Sequence, residues 1–189
     1  DQLNTQDISE YTKDNSEKSL HQFLLSQLKL THVDEQQFTI CSQLIDSLDH
    51  RGFIEDYNHI QPKLAKQYSV KPSFINKCLT IIQQFEPEGV GAKSLKDCFV
   101  IQLNHLDIQH TDLYPILYDL ITKHLSKITP ENHDFLATSL QIPLEGVSHL
   151  LNYFKQNFNP NPGVNFTKEK FNQHITPSFD VYFEDEKIR

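Results

Sequence analysis

An all-α fold is predicted for this chain of 189 residues: two packed helical-bundle subdomains with helix-turn-helix-like units, followed by a short C-terminal β segment. Three observations predict it. Apolar residues recur at three- and four-residue intervals through most of the sequence. Glycine is scarce, at 5 residues, and no Gly-x-Gly-x-x-Gly or Gly-x-x-x-x-Gly-Lys-Ser/Thr string can be assembled from it, which removes nucleotide-binding α/β folds. Finally, a helix-turn-helix pattern occurs twice: Ala65, Val70, Ile75 and Leu79 map onto Ala137, Ile142, Val147 and Leu151 at a constant offset of 72 residues.

The elements follow in order. Residues 1–18 hold five acids and two lysines among few apolar side chains, the composition of an acidic linker without a core of its own. From Ser19, suited to cap a helix, Leu20, Phe23, Leu24 and Leu28 define a first helix. Phe38, Cys41, Leu44, Ile45 and Leu48 place a second from about Asp34, with Gly52 at its exit. A short helix, a turn near Ser69 and a longer helix from Pro72 come next, proline being at home in a first turn where its missing N–H is not needed. Ala65 is the small residue that lets the two helices of such a unit approach.

Pro87, Gly89 and Gly91 stop that helix and supply positive φ values. Ser94 and Asp97 resemble a capping box ahead of a helix with Leu95, Cys98, Phe99, Leu103 and Leu106 on one face. Leu113, Ile116, Leu117, Leu120, Ile121, His124, Leu125 and Ile128 form the most regular series, predicting one continuous helix. Thr129-Pro130-Glu131 reads as cap, first-turn proline and first-turn acid of the second helix-turn-helix unit. Phe85 and Pro87 recur as Phe158 and Pro160, so each unit ends in a Phe-x-Pro stop. In the last segment Phe179, Val181 and Phe183 alternate with polar residues, the period of a strand.

Composition narrows the function. The net charge is -8 and the only arginines are Arg51 and Arg189, a poor endowment for gripping phosphate backbones. Three cysteines without a C-x-x-C pair, set among apolar residues, read as reduced, buried thiols of a cytoplasmic protein. No run of 18 apolar residues is present to span a membrane, and no signal segment opens the chain. With no methionine, the sequence is expected to be part of a longer protein. The 10 histidines never fall at the i, i+4 spacing of a helical metal site, and no nucleophile elbow is present, so neither a metal, a cofactor nor an enzyme is expected.

Two helix-turn-helix patterns invite a DNA-binding reading, a stand-alone transcription regulator. Their second helices open with Pro72, Ser73, Phe74, Ile75, Asn76 and Lys77, and with Pro143, Leu144, Glu145 and Gly146, without arginine and in one case with an acid facing the would-be phosphates. A protein-docking role fits this charge balance better. The Gly89-Val90-Gly91 turn could offer N–H groups to an anion, but a tight interhelical turn is the commoner use. Asp46 and Asp49 oppose the dipole of the second helix, which marks either local turn formers or a surface for a basic partner.

Four strings, LIDSLDHRGFI (44–54), FEPEGVGAKSLKDCFVIQL (85–103), NFNPNPG (157–163) and ITPSFDVYF (175–183), resemble in order and spacing the core-binding region of the RpoN-type, enhancer-dependent sigma factors of bacterial RNA polymerase. The resemblance implies an acidic linker (1–18), an N-terminal helical subdomain (19–108), a smaller C-terminal helical subdomain (109–163) and the start of an extended or β segment (164–189). It implies docking on core RNA polymerase, its β and β′ subunits and flap region included, during transcription initiation. Promoter DNA and ATP-dependent activators would be partners of the parent protein, through regions this sequence lacks. Within the matched strings, the polymerase-contact candidates are Asp46, Asp49, Arg51, Phe53, Pro87, Gly89, Val90, Gly91, Lys93 and Lys96.

Overall fold

Ser19 opens the first helix with a reciprocal cap: its hydroxyl accepts the Gln22 N–H while the Gln22 side chain takes the Ser19 N–H. The same device, Asp34 with Gln37, opens the second helix. A computed structural model describes residues 19–166. Over these, eight α-helices run in the order α1 (Leu20–Leu30), α2 (Glu35–Asp46), α3 (Tyr57–Gln67), α4 (Pro72–Ile82), α5 (Leu95–His105), α6 (Leu113–Lys123), α7 (His133–Leu140) and α8 (Leu144–Asn157). Short 3-10 turns cover Leu125–Lys127, Pro130–Asn132 and Pro162–Phe166. The acidic linker and the predicted strand around Phe179, Val181 and Phe183 lie outside the described residues.

Several elements differ from the sequence reading for identifiable reasons. α3 and α4 are both 11 residues long, so the first member of the pair is not the shorter. α6 ends at Lys123, because His124 leaves helical geometry at φ -127°. Thr129 is extended before Pro130, as a pre-proline residue prefers. Leu125 and Ile128 nevertheless reach the same core as α6, which explains why the apolar series ran on past the helix. Leu95 is 41% exposed as the first residue of α5. The box at α5 is half complete: Ser94 accepts the Asp97 N–H, but the Asp97 carboxylate takes the N–H of Lys93 in place of Ser94's.

The helices form two cores. Leu24, Leu28, Ile40, Leu44, Ile75 and Ile82 are among the buried residues of the first, where α2 lies between α1 and α4. Phe99, Leu103, Leu117, Leu120, Leu136 and Val147 belong to the second. α5 therefore packs with α6 to α8, and the buried cores part ahead of it. A small third cluster, Phe53, Ala92, Cys98 and Ile101, joins them.

The two cores follow one plan. The turns of the helix-turn-helix units match atom for atom: Val70 N–H donates to Ala65 O at 2.9 Å and Ile142 N–H to Ala137 O at 3.0 Å. Ser69 and Gln141, equivalent positions, both hold positive φ, 54° and 56°. The correspondence extends further back than the turn pattern does. α1 and α5 are both 11 residues, both capped by serine, and share Gln-Leu at Gln27-Leu28 and Gln102-Leu103. The described residues thus form a four-helix unit, α1 to α4, followed by a second, α5 to α8.

Candidate functional site

Three of the four motif strings meet at the seam between the units. In the loop after α2, Asp49 folds the chain back on itself. One carboxylate oxygen accepts the N–H groups of Arg51 and Phe53, each at 2.9 Å, and the Asp49 N–H donates to Phe53 O at 2.8 Å. Its other oxygen receives the Arg51 Nε–H at 2.9 Å. Arg51 also pairs with Glu55, and its guanidinium lies 4.8 Å from the centre of the Phe53 ring. Partial burial raises the Asp49 carboxyl pKa, but the Phe53 N–H, the Arg51 guanidinium and the Arg51 N–H outweigh it and hold the group below its ordinary value. Asp49 is accordingly a turn former beyond the end of α2, and only Asp46 sits in the last helical turn, where it pairs with His21 of α1.

The loop after α4 runs alongside this one. Gly91 N–H donates to Gly52 O and Ile54 N–H to Ala92 O, both at 2.8 Å, making a parallel bridge between Phe53 and Ala92. Gly52 and Gly91 hold φ of 89° and 74°, which glycine alone adopts without strain. Gly89 is tighter still: at φ 92° an added Cβ would stand 2.6 Å from both Cys98 Sγ and Gln102 Nε2 of α5. The N–H groups of Val90 and Gly91 donate to Pro87 and Gly52 carbonyls, so this turn is an interhelical connection and not an anion cradle. Burial pushes the Cys98 thiol up to about 12, against the Gln102 amide, and the neighbouring Cys78 thiol and burial push Cys41 above its ordinary range.

The third string closes the seam. Gly163 N–H donates to Arg51 O at 3.0 Å, and a Cβ on Gly163 would lie 2.3 Å from His50 O. Phe166 then reaches α1, its ring 5.1 Å from that of Phe23. Gln102, 2% exposed, clamps Asn159 by donating to its carbonyl at 2.7 Å and accepting its N–H at 2.8 Å. Gln27 clamps Glu86 in the same way, at 2.6 and 2.9 Å. Glu86 and Asn159 are the middle residues of the two Phe-x-Pro stops, so one side-chain device fixes both.

The ten candidates therefore divide. Phe53, Gly89, Val90 and Gly91 are buried and hold the seam together, with no side chain to offer a partner. Lys96 donates to Thr122 O at 2.7 Å, tying α5 to α6, and Lys93 stands 4.6 Å over the Tyr57 ring. Asp46, Lys93 and Lys96 are exposed; Asp49, Arg51 and Pro87 are partly so. Gln27, Gln102 and Asn159 are the hydrogen-bonding residues absent from the ten candidates, although the matched strings contain Gln102 and Asn159. Their signal was available in the recurrence of Gln-Leu at equivalent helical positions. Among the described residues no cluster of three His, Cys, Asp or Glu side chains could hold a metal ion, and no helix is long and apolar enough to cross a membrane.

Comparison with known proteins bears directly on these strings. The profile of the family described as "Sigma-54 factor, core binding domain" matches residues 10–189. The chain belongs to that family. Among sigma-54 relatives, a putative RNA polymerase sigma-54 factor of Clostridium kluyveri is 25% identical over 179 residues, covering 94% of this chain and 37% of that protein. RNA polymerase sigma-54 factors of Acidithiobacillus ferridurans and Bacillus subtilis are each 26% identical, over 97% and 88% of this chain. The chain spans 36% to 38% of the length of these three relatives. Within this sigma-54 core-binding chain, three of the four strings singled out in the sequence lie at the seam between the four-helix units.

Proposed function

We propose that this chain docks on core RNA polymerase, through the β and β′ subunits, as the core-binding module of an enhancer-dependent sigma factor acting in transcription initiation. The match of the family profile to residues 10–189 carries this reading. The seam supports it physically, because two docking units held at a fixed angle present one preorganised surface and lose little orientational freedom on binding. On this reading the docking subdomains divide ahead of α5, and residues 1–18 precede them as a linker. Promoter recognition and the response to ATP-dependent activators belong to other parts of the parent protein.

Of the contact candidates, Asp46, Asp49, Arg51, Pro87, Lys93 and Lys96 have surface left to offer, while the buried glycines act by shaping it. Co-elution of the purified chain with core polymerase on a sizing column tests the reading directly. Joint migration is expected. Asp46→Lys should weaken it without loss of helical circular dichroism, whereas a chain that migrates independently of polymerase at micromolar concentrations would overturn the proposal.

A further inference from the structure

The two helix-turn-helix units share a backbone but not a surface. From Tyr57 to Phe85, spanning α3 and α4, there are four lysines (Lys63, Lys66, Lys71 and Lys77) and no acid. All four are exposed, and among the described residues none is ion-paired. From His133 to Phe158, spanning α7 and α8, there are two acids and one lysine. The net charge of the whole chain conceals this difference. Exposed large hydrophobic side chains are divided the other way: Phe135 lies on α7 and Leu144 on α8, and none lies on α3 or α4.

We infer that the α3–α4 unit is a contact for the phosphate backbone of duplex DNA, made without reading its sequence. Protein interfaces are depleted in lysine and rely on buried aromatic or large apolar anchors, and this helix pair has the exposed lysines without the anchors. Nucleic-acid faces have the opposite composition. The lysines also sit where a helix-turn-helix meets DNA: Lys63 and Lys66 on the helix that crosses the backbone, Lys71 and Lys77 on the one that enters the groove. Base reading is a different matter. The carbonyl oxygen of Asn76, the only amide in the N-terminal half of α4, is occupied by Tyr57 OH at 2.7 Å and by Gln61, whereas recognition of adenine requires both ends of that amide.

The contact is independent of polymerase docking and is tested on the purified chain by fluorescence anisotropy with a short labelled duplex of arbitrary sequence. Four neutralised phosphates predict a slope of log K against log salt of about -3.6, roughly a hundredfold loss between about 50 and 200 mM. Combined replacement Lys63→Gln, Lys66→Gln, Lys71→Gln and Lys77→Gln should abolish binding. Lys123→Gln, Lys127→Gln and Lys155→Gln together, on α6, the turn after it and α8, should leave it within about twofold. Scrambling the duplex sequence should change nothing. No binding by the unaltered chain at low salt, or binding that survives the four α3–α4 replacements, would overturn the inference. So would a variant whose only defect is lost co-elution with polymerase, since that identifies an acidic protein surface as the occupant.

Discussion

The units α1–α4 and α5–α8 are alike inside and unlike outside. Both begin with a serine-capped helix of 11 residues, turn through a positive-φ residue between the helix-turn-helix pair, and end at a Phe-x-Pro peptide held by a glutamine. Their interiors are filled differently. Where the second core stacks Phe154 on Phe158 at 4.7 Å with Phe99 edge-on to both, the first has Leu24, Ile82 and Phe85 at the matching positions. Their surfaces share almost nothing. Backbone hydrogen bonds and caps demand particular atoms at particular places, a core demands volume, and a surface demands neither, so the likeness fades in that order.

The seam is where the comparison breaks most easily, because it belongs to neither unit. Gly89→Ala would force a Cβ into Cys98 and Gln102 at a positive φ, and should cost on the order of 3 kcal/mol from backbone strain plus overpacking. Urea unfolding measures it. A variant as stable as the parent would mean that α5 can slide away from the loop and that the two units are not rigidly joined.

Next in size are the two glutamines. Gln102→Ala removes a buried side chain and leaves the Asn159 N–H and carbonyl without their partner, a loss of about 2–3 kcal/mol. Gln27→Ala removes the same pair of bonds at a more exposed peptide, where water substitutes, and should cost about 1 kcal/mol. Equal losses would show that burial is not what separates the two clamps.

Much of this plan was readable in the sequence, and the parts that were not have a common cause. Periodic Leu and Ile gave the helices, and the constant offset from Ala65 to Leu79 gave the repeated turn. α1 and α5 share little beyond Ser-Leu at the cap and Gln-Leu in the last turns, so the repeat was visible only from α3 onward. The contact candidates came from the strings with the most distinctive residues. Glycine at positive φ and Asp49 in its own turn are distinctive because the seam needs them, which is why those strings turned inward. Lys63, Lys66, Lys71 and Lys77 were individually unremarked, since four solvated lysines acquire meaning only when the fold places them on one helix pair, Tyr57 to Phe85, that has no acid.

A smaller effect should be the same in both units. Ser69 and Gln141 adopt φ values that cost an L-residue about 1–2 kcal/mol. Part of that is recovered by glycine, whose unfolded chain is freer by about 0.4–1 kcal/mol, so Ser69→Gly and Gln141→Gly should each stabilise by about 0.5–1 kcal/mol. Thermal unfolding of the two variants and their combination tests equivalence. Opposite signs would mean that the matched turns are matched only in shape.

The smallest expected change distinguishes the loop before α3, where one oxygen of Asp49 gathers two backbone N–H groups, from the loop before α7. Asp49 is held below its ordinary pKa, so its contribution is complete above the unfolded value of about 3.9 and is lost as pH falls through the lower folded value. Asp49→Asn keeps an acceptor for the loop N–H groups but loses the charge facing Arg51, and at neutral pH should cost about 0.5 kcal/mol, as partly exposed pairs do. The parent and variant stability curves should then converge below about pH 4, because the parent alone is losing a favourable ionisation there. A gap that stayed constant down to that range would place the effect in the altered hydrogen-bond geometry of the amide, and the first loop would owe its shape to the same neutral bonding as the second.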